Sequence, residues 1–475
     1  MVSGLKKLAL PALFARLTLL LGLVLLAPSL VAVIYEEWMV LEELLSVALP
    51  LMIVGGFFSA KLPIPDEINP AQALFFSAMG WLLITGIGSL PYLHDMAPLD
   101  AFFEAMSGFT ATGMTLLSNL EDVPHSLLFW RALTQWLGGL GIVLFFILFM
   151  TPRGIGVWRL YVAEAREEKL TIRAWDTVKD LWLIYTLYTF LCAILLTYLG
   201  LSGFDALCHS FTTLATGGFS TKTLNIEGFH NPWVESVLVV FMIIGATNFH
   251  VHLYLLKGRI DEVWRNLELK VMLMIIAVAS IIVSLDIALH LNVSTLHAFR
   301  LGVFQTVSIA TTTGFTSMDV NSLPEASKWI LMILMVVGGS LCSTAGAIKV
   351  ARMIVLFKLA SHEVHKTMLP PKSIKPLKVG GRIMNVEDAL RVASFFFIYL
   401  AVAFVSTLII TAQGIPFTSA LSATLSAEGG VGPAYLDLFS LNATSKLALV
   451  WCMWVGRLEL LPILALFTSE LWERL

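Results

Sequence analysis

Ten mostly apolar stretches divide this chain of 475 residues, near 9–34, 44–60, 71–92, 126–150, 178–200, 232–256, 269–290, 327–357, 389–412 and 444–467. A helix that crosses a bilayer needs about 20 such residues. Charge does not offset them: 57% of the residues are hydrophobic and 13% are charged, against roughly 25% charged in a soluble domain. A water-soluble fold cannot cover that much apolar surface, and a disordered chain is excluded for the same reason. A net charge of −3 argues against a basic nucleic-acid binder. The expected class is an all-α polytopic membrane protein with about ten long helices. Lys6 and Lys7 precede a first apolar run too long for a signal peptide, so it is read as a retained helix. Cys192, Cys208, Cys342 and Cys452 show no CxxC spacing and point to neither zinc nor a disulfide framework.

Between the long stretches lie four shorter segments, 98–117, 203–220, 295–316 and 416–433, rich in Gly, Thr and Ser. Short interrupted segments at corresponding positions indicate re-entrant structure lining a cavity. Basic residues orient the chain. Loops 151–179, 257–270 and 349–391, with Lys6, Lys7, Arg16, Lys61 and Arg474, hold 24 of the 30 Lys and Arg residues. That side, with both termini, is therefore expected to be cytoplasmic. Arg131, Lys222, Arg300, Lys328 and Lys446 fall on the other side, where the four short segments open.

Those segments repeat. They read SGFTATGMT (107–115), FTTLATGGFS (211–220), SIATTTGFTS (308–317) and ATLSAEGGVG (423–432). Each has a helix-compatible lead, then small or hydroxyl residues, then a glycine. Aligned on Gly113, Gly217, Gly314 and Gly429, the glycines are 104, 97 and 115 residues apart. That suits a unit of helix, re-entrant loop and helix. The chemistry follows from the residue types. A dehydrated cation needs oxygens in place of its hydration shell, and rings of backbone carbonyls supply them. Glycine lets the chain leave helical geometry at low steric cost. A lead helix aims its partly negative C-terminus at the ion. The expected filter residues are Ala111, Thr112 and Gly113; Ala215, Thr216 and Gly217; Thr312, Thr313 and Gly314; and Ala427, Glu428 and Gly429. A single such segment reads equally well as a Gly/Thr-rich turn; four on one side do not.

With these motifs, ATGGFST (215–221) and ATTTGFTSMD (310–319) among them, the chain resembles the Trk/Ktr/HKT superfamily of cation transporters, nearest its bacterial TrkH branch, over residues 71–467. The two leading helices within 9–60 fit the extra N-terminal pair of that branch. The implied organisation is an N-terminal pair (1–68) and four pore repeats (69–165, 166–262, 263–370 and 371–475). The resemblance implies a K⁺-selective uptake transporter with no organic cofactor of its own. A sodium-permeable or Na⁺/K⁺-coupled transporter is the alternative. It also implies a multi-pass protein of the bacterial inner membrane, surrounded by lipid. A homodimer with one pore per protomer is implied, gated by a cytoplasmic, TrkA-like ring of nucleotide-binding RCK subunits. The connector 359–388 and the loop 151–179 are docking candidates for that ring, and nucleic acid has no place in the scheme.

Two further features carry chemistry. GGSLCSTAGAIK (338–349) interrupts an apolar stretch too long for one span. Gly338, Gly339, Ser340, Ser343, Thr344 and Gly346 make either a passive kink or a gate, and the resemblance favours the family's intramembrane loop below the third filter. Arg457 sits inside the last apolar stretch, in a GRLE motif. Such a charge faces a cavity or a partner. Glu459 is unsuited as its partner, since i,i+2 residues do not face each other on a helix. A carboxylate on another helix stays open, and the resemblance implies an electrostatic barrier to cations. Glu428 departs from the family's uncharged fourth loop and is expected to pack behind the filter against a donor.

His250 and His252 splay on a helix and are read as an interfacial pair, not a metal site. Glu104, Asp205 and His209 are read as mouth electrostatics or pore-helix hydrogen bonds. Trp130, Trp136, Trp233, Trp329 and Trp451 lie towards helix ends, and an aromatic belt explains most of them. No catalytic residue is assigned: GxSxG, HExxH and paired intramembrane aspartates are all missing from the sequence, which sets a polytopic membrane enzyme below a transporter. A scaffolding protein would not need four glycine loops.

Overall fold

The computed structural model describes residues 8–63, 68–141, 174–370 and 376–475. It opens on α1 (Ala9–Val24) and α2 (Leu26–Ile34), which share one apolar run, and α3 (Trp38–Lys61) packs back on α1. Small residues set that packing distance. A Cβ on Gly55 would stand 2.5 Å from the Leu19 backbone nitrogen, the close approach by which helices associate in lipid.

One pattern then recurs four times. A long helix leads, a short helix re-enters, an extended loop and a 3₁₀ turn follow, and a second helix returns. The long helices are α4 (Pro70–Gly88), α7 (Ala174–Tyr198), α12 (Leu267–His290) and α16 (Val386–Thr411). The short ones are α5 (Pro98–Phe109), α8 (Gly203–Leu214), α13 (Thr295–Ala310) and α17 (Phe417–Gly429). The returning helices are α6 (His125–Leu140), α9 (Pro232–Ala246), α14 (Glu325–Val336) and α18 (Ala443–Arg457). The short helices hold 12, 12, 16 and 13 residues, too few at about 1.5 Å per residue to cross a ~30 Å hydrocarbon core.

Local chemistry places the helix starts. Pro98 opens α5 at a position where a missing N–H costs nothing. Ser202 and Ser294 accept from the backbone of Asp205 and His297 at the starts of α8 and α13. Asn69 and Gln72 form a reciprocal capping box at α4.

Packing closes the four units into a ring. Each returning helix packs on the next unit's short helix: α6 on α8, α9 on α13, α14 on α17, and α18 back on α5. The short helices are accordingly buried. Leucine, isoleucine and phenylalanine side chains stay exposed on α3, α7, α12 and α16, the faces a membrane would cover.

Six helical segments among the described residues are long and apolar enough to cross a membrane, Ala9–Ile34, Trp38–Lys61, Pro70–Tyr92, Val178–Tyr198, Leu267–His290 and Val386–Thr411. A seventh candidate is α9 with α10 (Phe249–Leu256), bent by 104°. The expectation of ten long helices is thus corrected in three places. The stretch 232–256 bends where Asn248 caps α10 by accepting from His250 N. The stretch 327–357 ends as helix at Val336 and resumes only at α15 (Val350–Thr367). The stretch 444–467 breaks after Arg457, where Glu459 and Leu460 take φ of 51° and 69°, before the short α19 (Leu461–Ala465) and α20 (Ser469–Arg474). Hydropathy records composition, and these breaks are made by backbone hydrogen bonding. The stretch 126–150 runs beyond the described residues.

On the basic side, α11 (Ile260–Arg265) lies between α10 and α12. The connector 359–388 contains a hairpin of β1 (Leu377–Val379) and β2 (Arg382–Met384). Gly380 and Gly381 turn it at φ of 56° and 80°, the two-residue geometry that suits the twist of paired strands. Of the tryptophans, Trp130 does not fit a belt. Trp233 and Trp329 are exposed, but Trp130 is fully buried and donates to Gly88 O at 3.1 Å. Trp136 stacks on Tyr185 inside the bundle.

Candidate functional site

The short helices all end in the same way. The N–H groups of Thr112, Gly217, Thr313 and Val431 donate to the carbonyls of Ser107, Thr212, Ser308 and Ser426 at 2.8–2.9 Å. One residue earlier, the N–H groups of Ala111, Thr216, Thr312 and Gly430 donate to the carbonyls three residues back, of Gly108, Thr213, Ile309 and Ala427. This paired pattern is a Schellman termination, and it requires a left-handed residue. Ala111, Thr216, Thr312 and Gly430 fill that place at φ 54°, 49°, 56° and 64°. Three of the four are not glycine and two are β-branched, a conformation that costs energy and concentrates at functional sites. Two residues on, Gly113, Gly218, Gly314 and Gly432 again take positive φ.

That register corrects the sequence alignment in two loops. The first and third hold as aligned, at 111–113 and 312–314. In the second, Thr216, Gly217 and Gly218 are the equivalents, one residue later than the expected Ala215, Thr216 and Gly217. In the fourth, Gly430, Val431 and Gly432 are the equivalents. Ala427, Glu428 and Gly429 are still helical in α17. The glycines misled because both loops contain Gly-Gly. The signal that fixes the register was present. A hydroxyl residue, Ser107, Thr212, Ser308 or Ser426, stands at a constant spacing before Gly113, Gly218, Gly314 or Gly432.

The loops meet in cyclic order. A Cβ on Gly113 would fall 2.1 Å from Gly217 O, and one on Gly218 would fall 2.0 Å from Thr313 O. One on Gly314 would fall 1.7 Å from Val431 O, and one on Gly432 would fall 2.8 Å from Thr112 O. Each glycine of one loop therefore lies against a carbonyl of the next, and the fourth closes on the first. Side chains hold this ring from outside. Glu104 and Arg131 form a buried ion pair at 2.9 Å. Glu104 also accepts from Leu116 N, and Arg131 donates to Ser220 O at 3.1 Å, which ties the segments after the first and second loops together. Asp205 accepts from Ser202 Oγ at 2.7 Å, and His209 Nε2 stands 3.0 Å from Ser220 Oγ. The sequence reading missed Gln135, whose Nε2 donates to Gly217 O at 2.7 Å and whose Oε1 accepts from Phe219 N at 3.0 Å.

The break between α14 and α15 lies directly against the ring. Gly338 N donates to Ile348 O at 2.9 Å and closes residues 338–348 into a loop. Thr344 Oγ1 stands 2.9 Å from the carbonyls of Leu214 and Gly245. Ser340 N donates to Ala246 O, and Gly346 N donates to Thr312 Oγ1 at 2.8 Å. A Cβ on Gly346 would stand 2.2 Å from Gly429 O, and one on Gly339 would stand 2.6 Å from Ala246 O. Ser343 Oγ donates to Ser340 O within the loop.

A cavity of about 40 Å³ joins these parts, lined by Thr110–Thr112 of the first loop, residues 341–347, the end of α17 and Arg457. Arg457 donates to the carbonyls of Gly138 and Gly139 and lies 5.5 Å over the Trp81 ring. Glu428 is buried, and among the described residues neither carboxylate oxygen has a hydrogen-bond partner. The expected donor is not there. His250 Nδ1 stands 3.2 Å from Asn248 Oδ1, and His252 Nε2 stands 3.0 Å from Ile244 O. No cluster of His, Cys, Asp or Glu among the described residues could hold a metal.

Residues 66–474 match the family model for TrkH, described as a cation transport protein. The Trk system potassium uptake protein TrkH of Escherichia coli K12 is 33% identical over 97% of this chain and 99% of its own length. A cation transporter of Methanocaldococcus jannaschii is 31% identical over 95% of this chain and 93% of its own. The crystal structure of the potassium transporter TrkH from Vibrio parahaemolyticus superposes with a TM-score of 0.87 at 29% identity, over 98% of this chain and 99% of that one.

Proposed function

The chain belongs to the TrkH family of cation transport proteins, and from that premise we propose that it is a K⁺-selective uptake transporter whose filter is the ring of four loops. This is a family of membrane transporters and not of enzymes. The observation that carries the proposal is the cyclic contact of glycine on carbonyl between successive loops. It brings four sets of backbone carbonyls into one place within a membrane-embedded bundle, where they can replace an ion's hydration shell. The loops are 111–113, 216–218, 312–314 and 430–432, one from each of the proposed repeats 69–165, 166–262, 263–370 and 371–475.

Below the ring, residues 338–347 act as the gate. Their hydrogen bonds to Leu214, Gly245, Ala246 and Thr312 hold the loop across the cytoplasmic exit. Arg457 adds a fixed positive charge to the same cavity and raises the barrier to cations. Both termini face the cytoplasm. The protein works as a homodimer in the inner membrane, and cytoplasmic nucleotide-binding subunits pull on the gate through α15 and the connector that follows it. The other docking candidate, the loop 151–179, lies outside the described residues as far as residue 173.

Reconstituted protein tests this directly. Reversal potentials under K⁺, Rb⁺, Na⁺ and Li⁺ gradients are expected to follow K⁺ and Rb⁺ and to respond weakly to Na⁺ and Li⁺. Equal responses to K⁺ and Na⁺ would move the reading to a sodium-permeable transporter, and no ion flux at all would end it.

A further inference from the structure

The four loops are not equivalent at the residue between the left-handed position and the last glycine. That residue is Thr112, Thr313 or Val431 in three of them, each a β-branched side chain, and Gly217 in the second. In the first and third loops its hydroxyl meets a second threonine, Thr110 Oγ1 to Thr112 Oγ1 and Thr311 Oγ1 to Thr313 Oγ1, both at 2.8 Å. The second loop has Ala215 and Gly217 at those places and makes no such pair.

The space is not left empty. A Cβ on Gly217 would stand 2.5 Å from both Cδ and Oε1 of Gln135, and 2.9 Å from its Nε2. The amide of Gln135, reaching over from α6, therefore occupies the place where the other loops carry their own side chain. It is fully buried and makes two bonds to the loop, Nε2 to Gly217 O at 2.7 Å and Phe219 N to Oε1 at 3.0 Å. Their sense fixes the amide orientation, because a carbonyl needs the NH₂ and an N–H needs the oxygen.

The returning helices α9 and α18 offer no such group. Gly138 lies against the carbonyl of Phe109, Gly456 against that of Glu428 and Gly245 against that of Leu214, so the three glycines are equivalent. Three residues before each stand Gln135, Met453 and Met242. Methionine cannot donate to a carbonyl. The glutamine in α6 and the glycine in the second loop are thus a matched exception to the repeat.

We propose that Gln135 is a positioning residue that sets ion selectivity: its amide replaces the missing side chain of the second loop and fixes the Gly217 peptide at the separation K⁺ requires. This rests on the filter reading above. A carbonyl held by a buried NH₂ cannot swing inward to close on a smaller ion. Freed of that bond, the second loop, with Gly217 and Gly218 in succession, adapts to Na⁺.

The test uses full-length protein in proteoliposomes, with K⁺ against Na⁺ discrimination read from reversal potentials and normalised to folded protein. Gln135→Met, which copies α9 and α18, is expected to fold and to lower discrimination about tenfold, the scale of two lost hydrogen bonds. Gln135→Glu keeps the volume and the bond from Phe219 N but cannot donate to Gly217 O as a carboxylate, and discrimination is expected to fall again. The double variant Gln135→Met with Gly217→Thr gives the second loop the β-branched residue that the third carries at this position and is expected to recover discrimination relative to Gln135→Met alone.

Unchanged discrimination in both single variants overturns the proposal, and so does a double variant no better than Gln135→Met. If Gln135→Met fails to fold, Gln135→Glu and the double variant decide alone. Gly218→Val, measured alongside, separates the two levels. If it abolishes discrimination while the Gln135 variants do not, the filter reading stands and this proposal falls. If it too leaves discrimination intact, the filter reading itself is wrong.

Discussion

Glu459 is paired with Arg352, 107 residues away in sequence, and not with Arg457 two positions before it. Arg352 belongs to α15, which leaves the loop 337–349, and also lies 4.3 Å from the centre of the Phe395 ring. The pair therefore fastens the helix behind the loop to the break that follows α18. Both side chains are largely withdrawn from solvent, at 6% and 14% exposure. Removing one partner from such a pair leaves an uncompensated charge, at a typical cost of about 3–5 kcal/mol, whereas replacing both with apolar groups costs far less. Arg352→Ala is expected to lose stability of that order, and Arg352→Met with Glu459→Met to lose much less. Thermal unfolding in detergent measures both, and equal losses would show that the pair is not what holds the two helices.

The backbone register of the ring makes its own prediction. Valine at Gly113, Gly218, Gly314 or Gly432 forces a β-branched residue into positive φ and drives its Cβ to within 1.7–2.8 Å of a neighbouring carbonyl. Each substitution is expected to abolish K⁺ over Na⁺ discrimination while the long helices still fold. Four variants that keep discrimination would rule out the ring as the filter.

Deletion of 340–347 removes every bond that the loop makes to the ends of α8 and α9 and to the third filter loop. Flux is expected to rise and to depend less on any cytoplasmic partner. Thr344→Val, which loses the hydroxyl's contacts with the Leu214 and Gly245 carbonyls, should give a smaller rise. A deletion variant that folds and conducts like the parent would leave a passive kink as the reading.

Arg457→Ala discriminates between a barrier and a brace. A guanidinium lining the path at an effective dielectric constant of about 20 contributes roughly 1–2 kcal/mol of repulsion, so its loss is expected to raise K⁺ flux about 5- to 30-fold. If the residue serves only to satisfy the carbonyls of Gly138 and Gly139, its loss strands two buried acceptors, and flux falls with yield. Unchanged or reduced K⁺ flux per folded protein would remove the barrier assignment.

Glu121 joins the segments after the first two loops of the ring, accepting from Thr223 Oγ1 and, at 3.0 Å, from Thr223 N. The Thr223 hydroxyl holds the carboxyl below its ordinary range. A group with a lowered folded-state pKa contributes stability above its unfolded value and loses it as the pH falls through the folded one. Glu121 is mostly exposed, so screening keeps the effect under about 1 kcal/mol. Acidification is expected to cost the parent slightly more than Glu121→Gln, read as the difference between their melting temperatures at neutral and acid pH.

The class of protein and the fourfold unit were legible in the residues, because each follows from composition and local order. A run of about 20 apolar residues has few fates in water, and four Gly/Thr segments at near-regular spacing cannot all be chance turns. Two loops, 111–113 and 312–314, were in register from sequence alone, since each carries a single glycine. The second and fourth were displaced, because each contains adjacent glycines and glycine alone does not mark where the helix ends; Thr212 and Ser426, whose carbonyls take the closing hydrogen bonds, do.

Tertiary structure alone decided who meets whom. Nothing near Glu459 in sequence announces Arg352, and nothing near Gly217 announces Gln135. Glu428 was expected to find a donor, and its carboxylate has none among the described residues. The reason is physical. Hydropathy and turn preference act over a few residues, and a single chain carries their record. The closure of α18 on α5, the choice of carbonyl that each glycine abuts, and the pairing of buried charges depend on distances fixed only when four units pack against one another.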